Sequence, residues 1–177
     1  MKKFLIFTAL IAIFALSFSA TGCSGKTTPA DDCLRLHIRA NSNSDYDQNL
    51  KLKVRDEIVA FLSPLLTEAE NSVEAEKIIS DNLDAMENVG RKTLADNGES
   101  YSVKAEIRTE YFPTKSYGDV VFDGGKYRAV IIELGSGEGD NWWCVAYPPL
   151  CFVGEDDGDD PSYKSLVAEL INKWRNK

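Results

Sequence analysis

The side chains best suited to chemistry are one histidine, His37, and four cysteines, Cys23, Cys33, Cys144 and Cys151. A histidine can activate a serine or cysteine nucleophile when both are held within hydrogen-bond reach. No nucleophile motif accompanies His37. In a strand it shares a face with Arg35 and Arg39, and nearby cations disfavour its charged form. We therefore read it as a solvated strand residue. One histidine and no C-x-x-C pair leave no transition-metal site. The run G-S-G-E-G at 135–139 is rich in glycine but lacks the Lys-Ser/Thr and the helix of a phosphate loop, so it reads as a turn. The acidic run 155–160 lacks the spacing and distal Glu of a calcium loop. No cofactor or metal is expected, and no catalytic residue is assigned.

The densest stretch is 141–153, N-W-W-C-V-A-Y-P-P-L-C-F-V. Aromatic and β-branched residues at 141–147 suit a strand. Pro148 and Pro149 offer no ladder N–H and must end it. Trp142 and Trp143 are adjacent, so they point to opposite faces. Strand parity puts Trp143, Val145 and Tyr147 on one face and Trp142, Cys144 and Ala146 on the other. Two readings stand: a core strand with a rigid corner, or a recognition surface anchored by one exposed indole. On the second, Trp142, Trp143, Tyr147, Pro148 and Pro149 bind a partner, with one tryptophan in the core and the other partly exposed.

Of 177 residues, the first 22 read as an export signal: Lys2 and Lys3, an apolar run over 4–18, then Ala20-Thr21-Gly22 before Cys23. Small residues directly before a cysteine fit a lipoprotein signal, and we expect cleavage before Cys23 and a lipid on it, with plain secretion or an uncleaved anchor as the alternatives. The lipid would hold the protein to the outer face of the membrane. The formal charge is −8, and losing Lys2 and Lys3 makes it still more negative. That argues against nucleic acid, whose binding rests on phosphate neutralisation. Outside the cytoplasm cysteines tend to pair. With Cys23 modified, Cys144–Cys151 is the first choice, and Cys33, in a flexible approach segment, is left over.

The elements that must position these residues follow in order. Residues 23–33 are a polar tether. Leu34, Leu36, Ile38 and Ala40 alternate with Arg35, His37 and Arg39, a half-buried strand. Leu50, Val54, Ile58 and Leu62 recur at helical spacing over 45–62, with Ser44 or Asp45 as cap and Pro64 marking the end. A second helix is predicted over 72–96, with Gly90 in its apolar row to allow a close crossing and Asn97-Gly98 as terminator. Residues 102–112 alternate cleanly. Residues 114–125 form a loop. A strand at 126–135 pairs with 141–147 as an antiparallel hairpin. An acidic linker and a last helix, with Leu166, Leu170 and Trp174 on one side, fill 154–177. The order β-α-α-β-β-β-α predicts an α+β fold: a mostly antiparallel sheet of about four strands with helices on one face. The globular domain is expected to span 34–153.

Three segments resemble one family. Residues 35–58 read R-L-H-I-R-A-N-S-N-S-D-Y-D-Q-N-L-K-L-K-V-R-D-E-I, residues 112–118 read F-P-T-K-S-Y-G, and residues 141–152 read N-W-W-C-V-A-Y-P-P-L-C-F. They are similar to the stage II sporulation protein R family of endospore formers. The resemblance implies a non-enzymatic signalling protein. Such a protein is made in the forespore, exported to the space between the two septal membranes, and needed to activate a membrane-embedded aspartic protease in the mother cell. That protease processes pro-sigma-E. Should the 141–153 stretch be simply core, Thr114, Lys115 and Tyr117 of the second segment are the next candidates for the partner surface. A cell-envelope hydrolase, its tryptophans stacked on sugar, or a wall-binding module are the alternatives. The hydrolase needs a positioned acid–base pair, and the sequence offers none.

Overall fold

The computed structural model describes residues 26–27, 32–117, 120–152, 169 and 172–173. The expected signal sequence and Cys23 lie outside these residues. So do the acidic linker and most of the last helix, of which Glu169, Asn172 and Lys173 are helical and exposed. The elements run β1 (Lys26–Thr27), β2 (Leu34–Arg39), α1 (Asp45–Thr67), α2 (Ser72–Ser80), α3 (Leu83–Asp96), β3 (Val103–Phe112), β4 (Lys115–Tyr117), β5 (Val120–Phe122), β6 (Gly125–Leu134) and β7 (Asn141–Tyr147), then a 3-10 turn (Leu150–Phe152). Among the described residues no helix is long and apolar enough to cross a membrane.

The fold is α+β, and its main sheet has the order β3-β6-β2-β7. β3 pairs antiparallel with β6, and β2 antiparallel with β7. The hairpin expected between β6 and β7 does not form, because β2 inserts between them and runs parallel to β6. Burial explains the insertion. Leu34, Leu36 and Ile38 are buried on one face of β2, and Arg35 and His37 are fully buried on the other. A strand covered on both faces belongs in the middle of a sheet. The reading of His37 as solvated is thereby corrected.

All three described helices pack on one face of this sheet. Leu50, Val54, Ile58, Leu62 and Leu66 of α1 join Ala75 and Ile79 of α2, Met86 and Leu94 of α3, and Leu36, Ile38, Val130 and Ile132 of the sheet. Ser44 caps α1, its hydroxyl accepting from Asp47 N. α1 does not stop at Pro64 but runs on to Thr67, which buries Leu66 as a further turn of the apolar stripe. The single helix predicted over 72–96 breaks at Asp81–Asn82, where Asn82 Nδ2 donates to the Ile78 carbonyl at 2.8 Å. Gly90 is the close crossing: a Cβ there would lie 2.8 Å from Val103 Cγ1. Gly98, at φ +85°, ends α3 in the left-handed region.

The opposite face carries a second core: Cys33, Phe112, Tyr117, Val120, Phe122, Tyr127, Ala129, Ile131, Val145 and Leu150. The segment expected as a loop supplies its cover. β4 and β5 form a hairpin, and β1 of the expected tether pairs parallel with β5. Phe122 and Tyr117 bury apolar area that a solvated loop would expose. Cys33 is likewise buried, in place of the flexible approach segment expected.

Candidate functional site

β7 brings the densest stretch against β2. Its register places Arg39 opposite Asn141, Ile38 opposite Trp142, His37 opposite Trp143 and Leu36 opposite Cys144. Trp142 points to the helices and is buried, with the Arg55 guanidinium 5.3 Å above its ring centre. Trp143 points to the other face and is half-buried. Parity holds as far as Ala146. There the pairing jumps from Arg35–Val145 to Leu34–Tyr147, an extra residue in β7. The jump turns Tyr147 to the helix side, where its hydroxyl donates to the Ala69 carbonyl at 3.4 Å. The expectation that Tyr147 shares the Trp143 face is corrected by this bulge.

Trp143 lies flat on His37, with ring centres 3.7 Å apart and planes at 21°, and Phe112 meets the indole edge-on at 4.8 Å. His37 Nε2 is 2.8 Å from Asn141 Oδ1, and Nδ1 is 3.3 Å from Glu110 Oε1. Nε2 is placed to donate to Asn141, whereas Nδ1 lies close enough to feel the Glu110 charge but makes no hydrogen bond among the described residues. Burial is nevertheless the larger effect. It pushes the histidine below its ordinary range, against the pull of Asn141 and Glu110 and with the help of Arg39. Burial alone would raise Glu110. The hydrogen bond from Arg39, with the charges of His37, Arg39 and Arg108, instead holds the carboxyl below its usual range. Glu133 completes the row, accepting from Arg39 and Arg108 at 3.2 Å each.

Behind this row Arg35 is fully buried. Its Nε donates to the Cys144 carbonyl at 2.9 Å, and its guanidinium carbon lies 4.6 Å from the Phe112 ring centre and 5.0 Å from that of Tyr127. Its two Nη atoms have no hydrogen-bond partner among the described residues. Aromatic faces are the partial substitute for water around this charge, and burial lowers its proton affinity.

At the adjoining end of the sheet a polar knot fixes the start of α1. The Asp47 carboxylate accepts from Asn41 Nδ2 at 2.9 Å, Ser42 Oγ at 2.6 Å and Tyr101 Oη at 3.1 Å. The Ser42 hydroxyl leads the effects that hold this carboxyl below its usual range. Asn41 also binds the 135–140 turn, its Oδ1 accepting from Ser136 N at 3.0 Å, and Lys51 Nζ donates to the Asp140 carbonyl at 3.0 Å. Gly135 sits at φ +59°, where a Cβ would collide with the Asn41 side chain. The knot thus sets the position of Asn141, and through it the His37–Trp143 stack.

The remaining candidates divide by exposure. Thr114 is exposed, Lys115 and Pro149 are half-buried, and Tyr117 and Pro148 are buried. Thr114 Oγ1 accepts from Gly124 N at 2.9 Å, and Lys115 Nζ lies 5.9 Å from the Tyr117 ring centre. Cys144 and Cys151 stand at disulfide distance with Cα atoms 5.6 Å apart, which suits a bridge. The geometry brings Trp143, Asn141, His37, Glu110 and Arg39 together, and leaves Thr114 and Lys115 on the separate hairpin layer. Sequence reasoning missed Glu110, Arg39 and Asn141. A histidine and an arginine in one strand facing an alternating acidic strand is the signal that would have found them. No group of three metal-binding side chains occurs among the described residues. Both His37 ring nitrogens face acceptors, and Trp143 covers the ring. What the arrangement offers is a rigid, ion-paired surface with one half-open indole.

A family model described as stage II sporulation protein R matches residues 30–157. The chain is 34% identical over 151 residues to a curated protein named "Stage II sporulation protein R" from Bacillus subtilis (strain 168), covering 84% of this chain and 67% of that one. No solved structure matches it.

Proposed function

Because the chain belongs to the stage II sporulation protein R family, we propose that it is an extracytoplasmic signalling protein of endospore formation. It is made in the forespore, exported, and held at the outer face of the membrane by a lipid on Cys23. There it activates the membrane-embedded aspartic protease that processes pro-sigma-E in the mother cell. The observation that carries this reading is the family match, which takes in β2 to β7 and so the whole of both cores. The geometry agrees with a binding protein: the aromatic stretch is fixed by the knot, the bulge and the Cys144–Cys151 pair, and rigid side chains lose little entropy on docking. Trp143, Asn141 and the Arg39–Glu110–Glu133 row form the surface offered to the protease. Deleting the gene from its sporulating host should leave pro-sigma-E unprocessed, and an exported copy supplied in the forespore should restore processing. Normal processing in the deletion strain would end the proposal.

A further inference from the structure

β3 is an edge strand, paired among the described residues with β6 alone. Glu87 of α3 accepts from Ala105 N at 3.0 Å. The Ala105 N–H therefore points away from β6, and strand parity sends the N–H and C=O groups of Ile107, Thr109 and Tyr111 the same way. Among the described residues this edge is at least partly open: Ile107 is half-buried, Thr109 is exposed and Tyr111 is 65% exposed. An edge of this kind is a template for another strand.

The uncapped stretch reads Ile107-Arg108-Thr109-Glu110-Tyr111. Laid antiparallel against itself about Thr109, it sets Ile107 opposite Tyr111 on the helix side and Arg108 opposite Glu110 on the other. The first rung is a favourable cross-strand pair; in the second, Arg108 and Glu110, already paired within their own chain, would extend that ion-pair row across the axis. We propose that this edge joins two copies of the chain, Thr109 on the two-fold axis, into one continuous sheet.

The backbone sets the same limits as the side chains. The next rung would place Ala105 opposite Pro113 of the second copy. The Ala105 N–H is already held by Glu87, and Pro113 has no N–H to give. Pairing thus ends at both sides where donors run out. A register about Ile107 would also match charges, Lys104 with Glu110 and Glu106 with Arg108, but it needs the Ala105 N–H that Glu87 occupies. A five-residue edge contact covers less surface than standard stable interfaces, and the net charge, −8 for the full sequence and more negative once Lys2 and Lys3 are removed, opposes association. The dimer is accordingly weak and dependent on concentration.

The test is sedimentation velocity on the exported chain from the micromolar to the millimolar range. Growth of a dimer with concentration is expected. Thr109→Pro removes both central N–H groups from the edge and should weaken dimerisation by about tenfold or more, with circular dichroism confirming the fold. Thr109→Cys should give a covalent dimer on mild oxidation, which keeps the proposal testable if the proline variant unfolds. Arg108→Glu, which sets like charges across the axis, should also weaken the dimer. A chain that stays monomeric throughout, a Thr109→Cys dimer that forms no cross-link on oxidation, or an edge that takes only unrelated extended peptides would overturn the proposal.

Discussion

Replacing Trp143 by alanine should uncover His37, with a loss of stability and a shift in its titration. Trp→Ala in a full core costs about 3–5 kcal/mol, the loss expected for Trp142→Ala. Trp143 is half-buried, so its burial contributes about half as much, to which ring pairing with His37 and Phe112 adds ~0.5–1.5 kcal/mol. The expected loss is about 2–4 kcal/mol at pH 7.5. The second consequence is in titration. Burial holds the folded histidine below its unfolded value, so folding excludes a proton. That contribution is fully present above about pH 6.5. It is lost as pH falls through 6.5 toward the folded value, because the unfolded chain takes up the proton first. Removing the indole readmits water and should move the histidine back toward its ordinary value. The groups facing it, Glu110, Asn141 and Arg39, remain. His37 is the only histidine in the sequence, so its ring resonances can be followed by NMR without assignment. Urea unfolding at pH 7.5 and 5.5 measures the linked stability. A wild-type His37 that titrates at or above its ordinary range, or a Trp143→Ala protein with unchanged titration, would refute the reasoning.

Gly90→Ala should destabilise by about 1–3 kcal/mol through overpacking, since its Cβ would press on Val103 Cγ1, a branched side chain with little freedom to move; thermal unfolding measures it. Asp47→Ala removes the acceptor of three hydrogen bonds and should cost about 2–4 kcal/mol, with amide exchange rising in the 135–140 turn. Changing Cys144 and Cys151 together to serine opens the loop they close and should cost roughly 2–3 kcal/mol, read by urea unfolding; a melt insensitive to the exchange would show the pair to be unbonded in solution.

The class of fold and its helix face were legible because they rest on period. Leu50, Val54, Ile58 and Leu62 repeat at helical spacing, and every one is buried. What periodicity does not carry is strand order. Neighbouring strands usually pair, so β6 and β7 read as a hairpin. Only the burial of β2 on both faces reveals that it lies between them, and Arg35 and His37 disguise that burial as polarity. The same two residues hid the site. A polar side chain in an alternating strand is normally wet, yet here the β4–β5 layer and Trp143 cover them. The bulge at Ala146 is invisible to parity, and it moved Tyr147 to the other core. Trp142 and Trp143 were legible as a pair pointing opposite ways, while which of them is buried depends on what covers each face.

The proposed function is action of the chain, once exported, on another protein. Its most direct test is to express this chain, the membrane-embedded protease and pro-sigma-E together in a host that does not sporulate, and to follow pro-sigma-E by blot. Processing is expected only when all three are present and the chain carries its export signal, and a Trp143→Ala chain that remains folded should process less. Processing without this chain, or none in its exported presence with a protease shown to be competent, would contradict the account.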